Sequence, residues 1–205
     1  MALFIWGLVL FLGSHSVRVF ADHWRTEKLA QWGEKFYKGL YSVASLVGFV
    51  LMVYGFSKIR WDSPWLWYPP VGMRHLAALL MLPALVLLVA SQVPHNAIKA
   101  KLRHPMVLAV KVWAFAHLLS NGKLADVVLF GAFLLWAVLN FRAARQRDRL
   151  AAHTLTDDAT QPANTSNTWR VVLVGVAVWA ILLFGGHSWL FAVSPLGMQL
   201  GGISG

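Results

Sequence analysis

Polar residues arrive in clusters along this chain, and between the clusters lie six apolar runs: roughly 2–20, 40–56, 74–92, 104–120, 124–141 and 170–193. An α-helix rises about 1.5 Å per residue and a bilayer's hydrocarbon layer is about 30 Å thick. Each run therefore comes close to one crossing, and tilt or local thinning accommodates the shorter ones. The pattern predicts an all-α, polytopic membrane helix bundle of about six transmembrane helices. The first run opens the chain without a basic leader or a small-residue cleavage site, so it reads as a retained helix.

The connections differ in character. ADHWRTEKLAQWGEKFYKG is mixed in charge and carries Trp near both ends, which suits a short amphipathic segment along the interface. SKIRWDSPWLWYPPVGM, rich in Trp, Tyr and Pro, reads as a rigid loop at headgroup level. VPHNAIKAKLR is basic, and Asn121-Gly122-Lys123 is a tight turn that makes runs four and five antiparallel neighbours. After Arg142 the chain turns basic and then rich in Asp, Thr, Asn and Ser, as a disordered linker does. The division expected is a five-helix membrane core over 1–142, a polar cytoplasmic linker over 143–169, and a sixth helix with a mobile Gly-rich tail over 170–205.

Composition sharpens this. The chain is 58% apolar and 13% charged with 11 Trp, where soluble domains are nearer half apolar and a quarter charged. The net charge of +10 does not point to nucleic acid, because no soluble basic face is available to present it. Thirteen of the 18 Lys and Arg fall in the first, third and fifth connections, and Lys58, Arg60, Arg74 and Lys123 fall on the other side. Basic residues stay on the cytoplasmic side, so both termini are expected in the periplasm. With no Cys, disulfides and thiolate ligands are excluded and His is left as the strong soft-metal ligand.

Candidate chemistry concentrates in RHPMVLAVKVWAFAHLLSNG, where Pro105 suits a first helical turn and Asn121-Gly122 a C-terminal end. This run carries His104, Lys111 and His117, and ionisable groups in hydrocarbon are retained mostly where they line a site or pair. His104 and His117 are thirteen residues apart, roughly 20 Å along a helix, so they cannot ligate one metal atom. Two levels follow: an inner one with His15 and His104, and an outer one with His75, His117 and His187. A metal or haem iron between helices needs inward-facing His from different helices. The inner pair fits best as the metal ligands, because Arg18, Arg103 and Lys111 lie near enough in sequence to partner haem propionates. His75 and His117 are the second choice, and His117 is also a candidate cofactor contact. Beside this stands a plainer reading, in which interfacial His residues bond a carbonyl or water and Trp113 and His117 form a packed aromatic pair. Phe130, Phe133, Trp136 and Phe141 read as packing residues.

Together these stretches resemble the NnrU family. The resemblance is carried by FIWGLVLFLGSHSVRV, by WRTEKLAQWGEKFYKGLYSVASLVGFVLMVYG and, most densely, by RHPMVLAVKVWAFAHLLSNGKLADVVLFGAFLLWAV, together about residues 1–150. It implies a bacterial inner-membrane protein associated with nitrite and nitric oxide metabolism (denitrification). A more distant relative, the plant zeta-carotene isomerase, is a haem b protein that converts a cis double bond of a carotenoid to trans. Its ligand idea falls on His15 in GSHS and His104 in RHP. An RHP-type motif also occurs in isoprenylcysteine-class methyltransferases, but the acidic residues of that class are missing here, since no Asp or Glu follows Asp158. Three functions are left in competition: a haem b-binding accessory of nitrogen-oxide respiration, with nitric oxide as ligand or a membrane protein as partner; a haem-dependent isomerase of an apolar polyene; and a cofactor-free membrane scaffold. The bilayer is a partner in each.

Overall fold

The computed structural model describes residues 1–154 and 164–197. The helices are α1 (Ala2–Phe20), α2 (Asp22–Trp32), α3 (Glu34–Ile59), α4 (Val71–Gln92), α5 (Ala97–Leu102), α6 (Pro105–Ser120), α7 (Leu124–Thr154), α8 (Thr165–Ile181) and α9 (His187–Phe191). Leu182–Gly186 forms a π-helical turn between α8 and α9. Among the described residues five helical stretches are long and apolar enough to cross a membrane, and the 16-residue α6 is a shorter apolar helix in addition to them. The protein is an all-α, multi-pass membrane bundle. Its large apolar side chains are exposed along α1, α3, α4 and α8, where lipid is their solvent.

The five membrane-length helices and α6 pack in the order α3, α1, α7, α6, α4, α8. The α1–α3 contact is the tightest in kind. A Cβ on Gly7 would strike the backbone of Met52, and one on Gly55 the backbone of Phe4. Small residues that let two backbones approach are the usual means of helix association in lipid, where the hydrophobic effect does not drive it. Phe4, Leu8 and Met52 form the buried cluster between the two helices.

One end of the bundle is tied by backbone. Leu66 N donates to Gly122 O at 2.8 Å and Leu124 N to Pro64 O at 2.9 Å, so the 60–70 loop is clasped to the α6–α7 turn. Ser63 Oγ accepts from Ala125 N at 2.9 Å and caps α7 from this distant loop. The turn glycine owes its place to this clasp rather than to a left-handed backbone: any side chain at Gly122 would run into Trp67 O. At the opposite end lie α2, α5 and the end of α7. There Asn96 is fully buried, caps α5 through Lys99 N at 2.8 Å, and donates to Ala90 O and Val93 O.

Several boundaries differ from the sequence expectation. The interfacial segment is helical, as α2, but α3 begins at Glu34 rather than near residue 40; Gly33 starts it, and Glu34 and Lys38 pair one turn apart across its first turn despite Gly39. α7 continues from Arg142 to Thr154, where a linker was expected to start at 143. Ala, Arg, Gln and Leu there are strong helix formers, and Arg147 reaches Arg18 O at 3.4 Å. α8 starts at Thr165, capped by Asn164 Oδ1 on Ser166 N at 2.9 Å. The middle of the expected linker and the last residues of the tail lie outside the described residues. The sixth run is not one regular helix, since Gly185 and Gly186 fall in the π turn.

Candidate functional site

At the inner level, α1 places His15 in an aromatic enclosure. Its ring centre lies 4.4 Å from Phe11, 5.4 Å from Tyr41 and 6.2 Å from Trp136. Phe11 O, one turn back on the same helix, is an acceptor only, so His15 Nδ1–H donates to it at 2.7 Å and Nε2 is the nitrogen with a free lone pair. Trp136 Nε1 is buried with no hydrogen-bond partner among the described residues. Beside it runs a shallow apolar cleft of about 250 Å³ between α1 and α7, walled by Leu8, Leu12, Ala132, Leu135, Trp136 and Leu139.

His104 has different company. It is the N-cap residue of α6, with Pro105 in the first turn after it. Its Nε2 lies 3.0 Å from Asp148 Oδ2, and Arg103 Nη1 lies 3.7 Å from the same oxygen. An ionised carboxylate only accepts, so Nε2 carries the proton and Nδ1 is the open position. Phe141 packs edge-on against His104 at 6.4 Å, and Lys111 Nζ sits 5.9 Å from the same ring. His104 and Lys111 thus share a face of α6 through Phe141. Trp136 beside His15 and Phe141 beside His104 are five residues apart on α7, roughly 140° around the helix. The two inner imidazoles thus each lie against α7, His15 at Trp136 and His104 at Phe141. Arg18 and Arg103 are exposed at this end.

The outer level is where two imidazoles meet. His117 on α6 and His187 at the start of α9 have ring centres 6.5 Å apart. His117 Nδ1–H donates to Trp113 O at 2.8 Å, and His187 Nδ1–H to Val193 O at 2.7 Å, which leaves both Nε2 atoms as lone-pair donors to a ligand. Phe130 stacks on His117 at 4.6 Å, Trp113 lies 5.2 Å from it, and Phe191 lies 4.8 Å from His187. Arg60, at the end of α3, donates to Phe191 O at 3.3 Å. His75 is exposed on α4 and is not part of this cluster. Among the described residues no group of three or more His, Asp or Glu converges to hold a metal ion.

The sequence model described as NnrU protein matches residues 3–195. The chain belongs to the NnrU family. No curated protein and no solved structure matches it. The match runs from α1 of this NnrU protein to beyond α9, so the last apolar stretch, α8 to α9, belongs to the family's unit.

The donor set fits a haem in chemistry: imidazoles, each with one nitrogen pinned by a carbonyl or carboxylate and the other open, as ligating histidines are arranged. Three residues of these surroundings carry no functional signal in the sequence. Asp148 sits in a strongly basic stretch as one charge among many, Trp136 reads as packing, and Arg60 is one charge of an outer loop. Only the fold shows what each one faces.

Proposed function

We propose that this NnrU protein is a haem b-binding protein of the bacterial inner membrane, with both termini in the periplasm, that supports nitrite and nitric oxide metabolism. The observation that carries the reading is the set of intramembrane imidazoles held with one nitrogen pinned and one lone pair free. A haem so held would supply one-electron chemistry, or a binding position for nitric oxide if one ligand yields. The chain's own part is to fix imidazole orientation, keep water away with aromatic rings, and offer cations to the propionates. At the inner end Arg18, Arg103 and Lys111 are the candidates for that last task, and at the outer end Arg60.

A second reading, a haem-dependent isomerase of a membrane polyene, draws support from the lipid-side cleft beside Trp136 and His15. The cleft is smaller than most ligand pockets, which run roughly 300–1,000 Å³, and this favours the first reading. One experiment addresses the proposal: oxidised and dithionite-reduced absorption spectra of protein purified in mild detergent after growth with ample haem. The expected result is a strong Soret band with sharp reduced α and β bands. A colourless protein overturns both haem readings and leaves the cofactor-free scaffold.

A further inference from the structure

We infer that the metal-holding pair of this protein is His117 with His187: a bis-imidazole site at the outer end of the bundle, occupied by haem iron if the haem reading above holds. The inference rests on that reading for the identity of the metal centre, and on the geometry for its place.

Four observations converge. First, spacing: a metal sits about 2 Å from each imidazole nitrogen, and each nitrogen about 1 Å from its ring centre, so two imidazoles across one metal have centres roughly 6 Å apart. The observed 6.5 Å matches, with the rings inclined by 31°. Second, hydrogen bonding: both Nδ1–H groups are spent on backbone carbonyls, which leaves Nε2 of each ring as the nitrogen open to a metal. Third, backbone: His187 follows directly on the π turn Leu182–Gly186. Such turns are rare and concentrate at functional sites. This one lets α9 part from the line of α8 and bring His187 to α6. Fourth, surroundings: Phe130, Trp113 and Phe191 give an apolar wall suited to a flat macrocycle, and Arg60 supplies a cation at the rim through its bond to Phe191 O. At the inner end the described ring neighbours of His15 are Phe11, Tyr41 and Trp136 and that of His104 is Phe141, so the imidazole-to-imidazole ring contact among the described residues is the outer one.

The test uses the full chain in mild detergent, with absorption and low-temperature electron paramagnetic resonance spectra and haem and metal content per chain. The variants are His117→Ala, His187→Ala and His187→Gly, the last with and without added imidazole. Size-exclusion chromatography identifies any variant that fails to fold, and imidazole rescue of His187→Gly then carries the decision. The expected result is low-spin haem in the wild type and loss of the low-spin signal in each variant, with its return when imidazole is added to His187→Gly. If the wild type is low-spin and both outer variants keep that signal undiminished, the pair is not the ligand set, while the haem reading stands. If the wild type lacks haem, the haem reading fails by itself. Zinc or copper at one per chain, lost from both variants, then supports the same pair as a site for a bare ion. Neither haem nor metal overturns the site as well.

Discussion

Asp148 is the carboxylate on which the His104 imidazole and the Arg103 guanidinium of the inner end converge. It stands near the C-terminal end of α7, with His104 Nε2 at 3.0 Å and Arg103 Nη1 at 3.7 Å. About a quarter of its side chain is exposed, which puts it between a surface ion pair and a buried one. The interaction fixes His104 as the N-cap residue of α6 and holds the α7 extension against it. Replacing one partner of such a half-buried pair costs about 1 kcal/mol. Asp148→Asn is therefore expected to lower the midpoint of thermal unfolding in detergent, followed by tryptophan fluorescence, while Asp22→Asn at the exposed interfacial α2 leaves it in place. An unshifted midpoint in Asp148→Asn would mean that the contact contributes nothing to holding the two helices. From the sequence, His104, Lys111 and His117 were legible as unusual because hydrocarbon penalises such groups wherever they sit. Asp148 was not legible, because a lone acid among arginines has no signature until the fold sets it opposite a particular imidazole.

At the scale of helices, what was readable and what was not divides along the same line. Crossing segments follow from hydropathy alone, so α1, α4, α6 and α7 begin close to where the apolar runs do. Helix ends in polar sequence do not, because there propensity competes with solvation; hence α7 runs on through Arg142–Thr154. The π turn was also hidden: Gly185-Gly186 signals a weak point, but its geometry is set by what α9 packs against. The α1–α3 seam illustrates a third case, in which glycines are visible and their partner is not. Gly7, Gly48 and Gly55 allow the two backbones to touch, and a side chain at Gly48 would come within 2.6 Å of Phe11 N. Overpacking a filled contact costs roughly 1–3 kcal/mol. Gly55→Leu should therefore lower the unfolding midpoint strongly, whereas Gly39→Leu, with open space around it, should be close to neutral. Equal midpoints for the two variants would show that the seam yields without cost.

For the whole molecule, the decisive asymmetry is electrostatic. The chain places Met1, the 60–70 loop, the α6–α7 turn and α9 at one end, as the pocket shared by Met1 and Pro64 and the clasp of Leu66 on Gly122 require. Both ends of the described chain thus lie on one side, consistent with an even number of crossings. That side carries four of the 18 basic residues, and thirteen sit at the other end, on and around α2, α5, the α7 extension and the start of α8. Because Lys and Arg are retained in the cytoplasm, the sparse end should face the periplasm. The absence of Cys makes this directly measurable, since any single introduced thiol is the sole target. Asp62→Cys and Gln146→Cys lie at opposite ends, and both side chains are exposed. A membrane-impermeant maleimide added to intact spheroplasts should label Asp62→Cys at once and Gln146→Cys only after permeabilisation. The reverse pattern would invert the bundle, and with it the compartment from which the His117–His187 end receives ligand or electrons. Labelling of both thiols without permeabilisation would instead mean that an odd number of crossings separates the two positions no longer, and that α6, the shortest of the six, fails to cross.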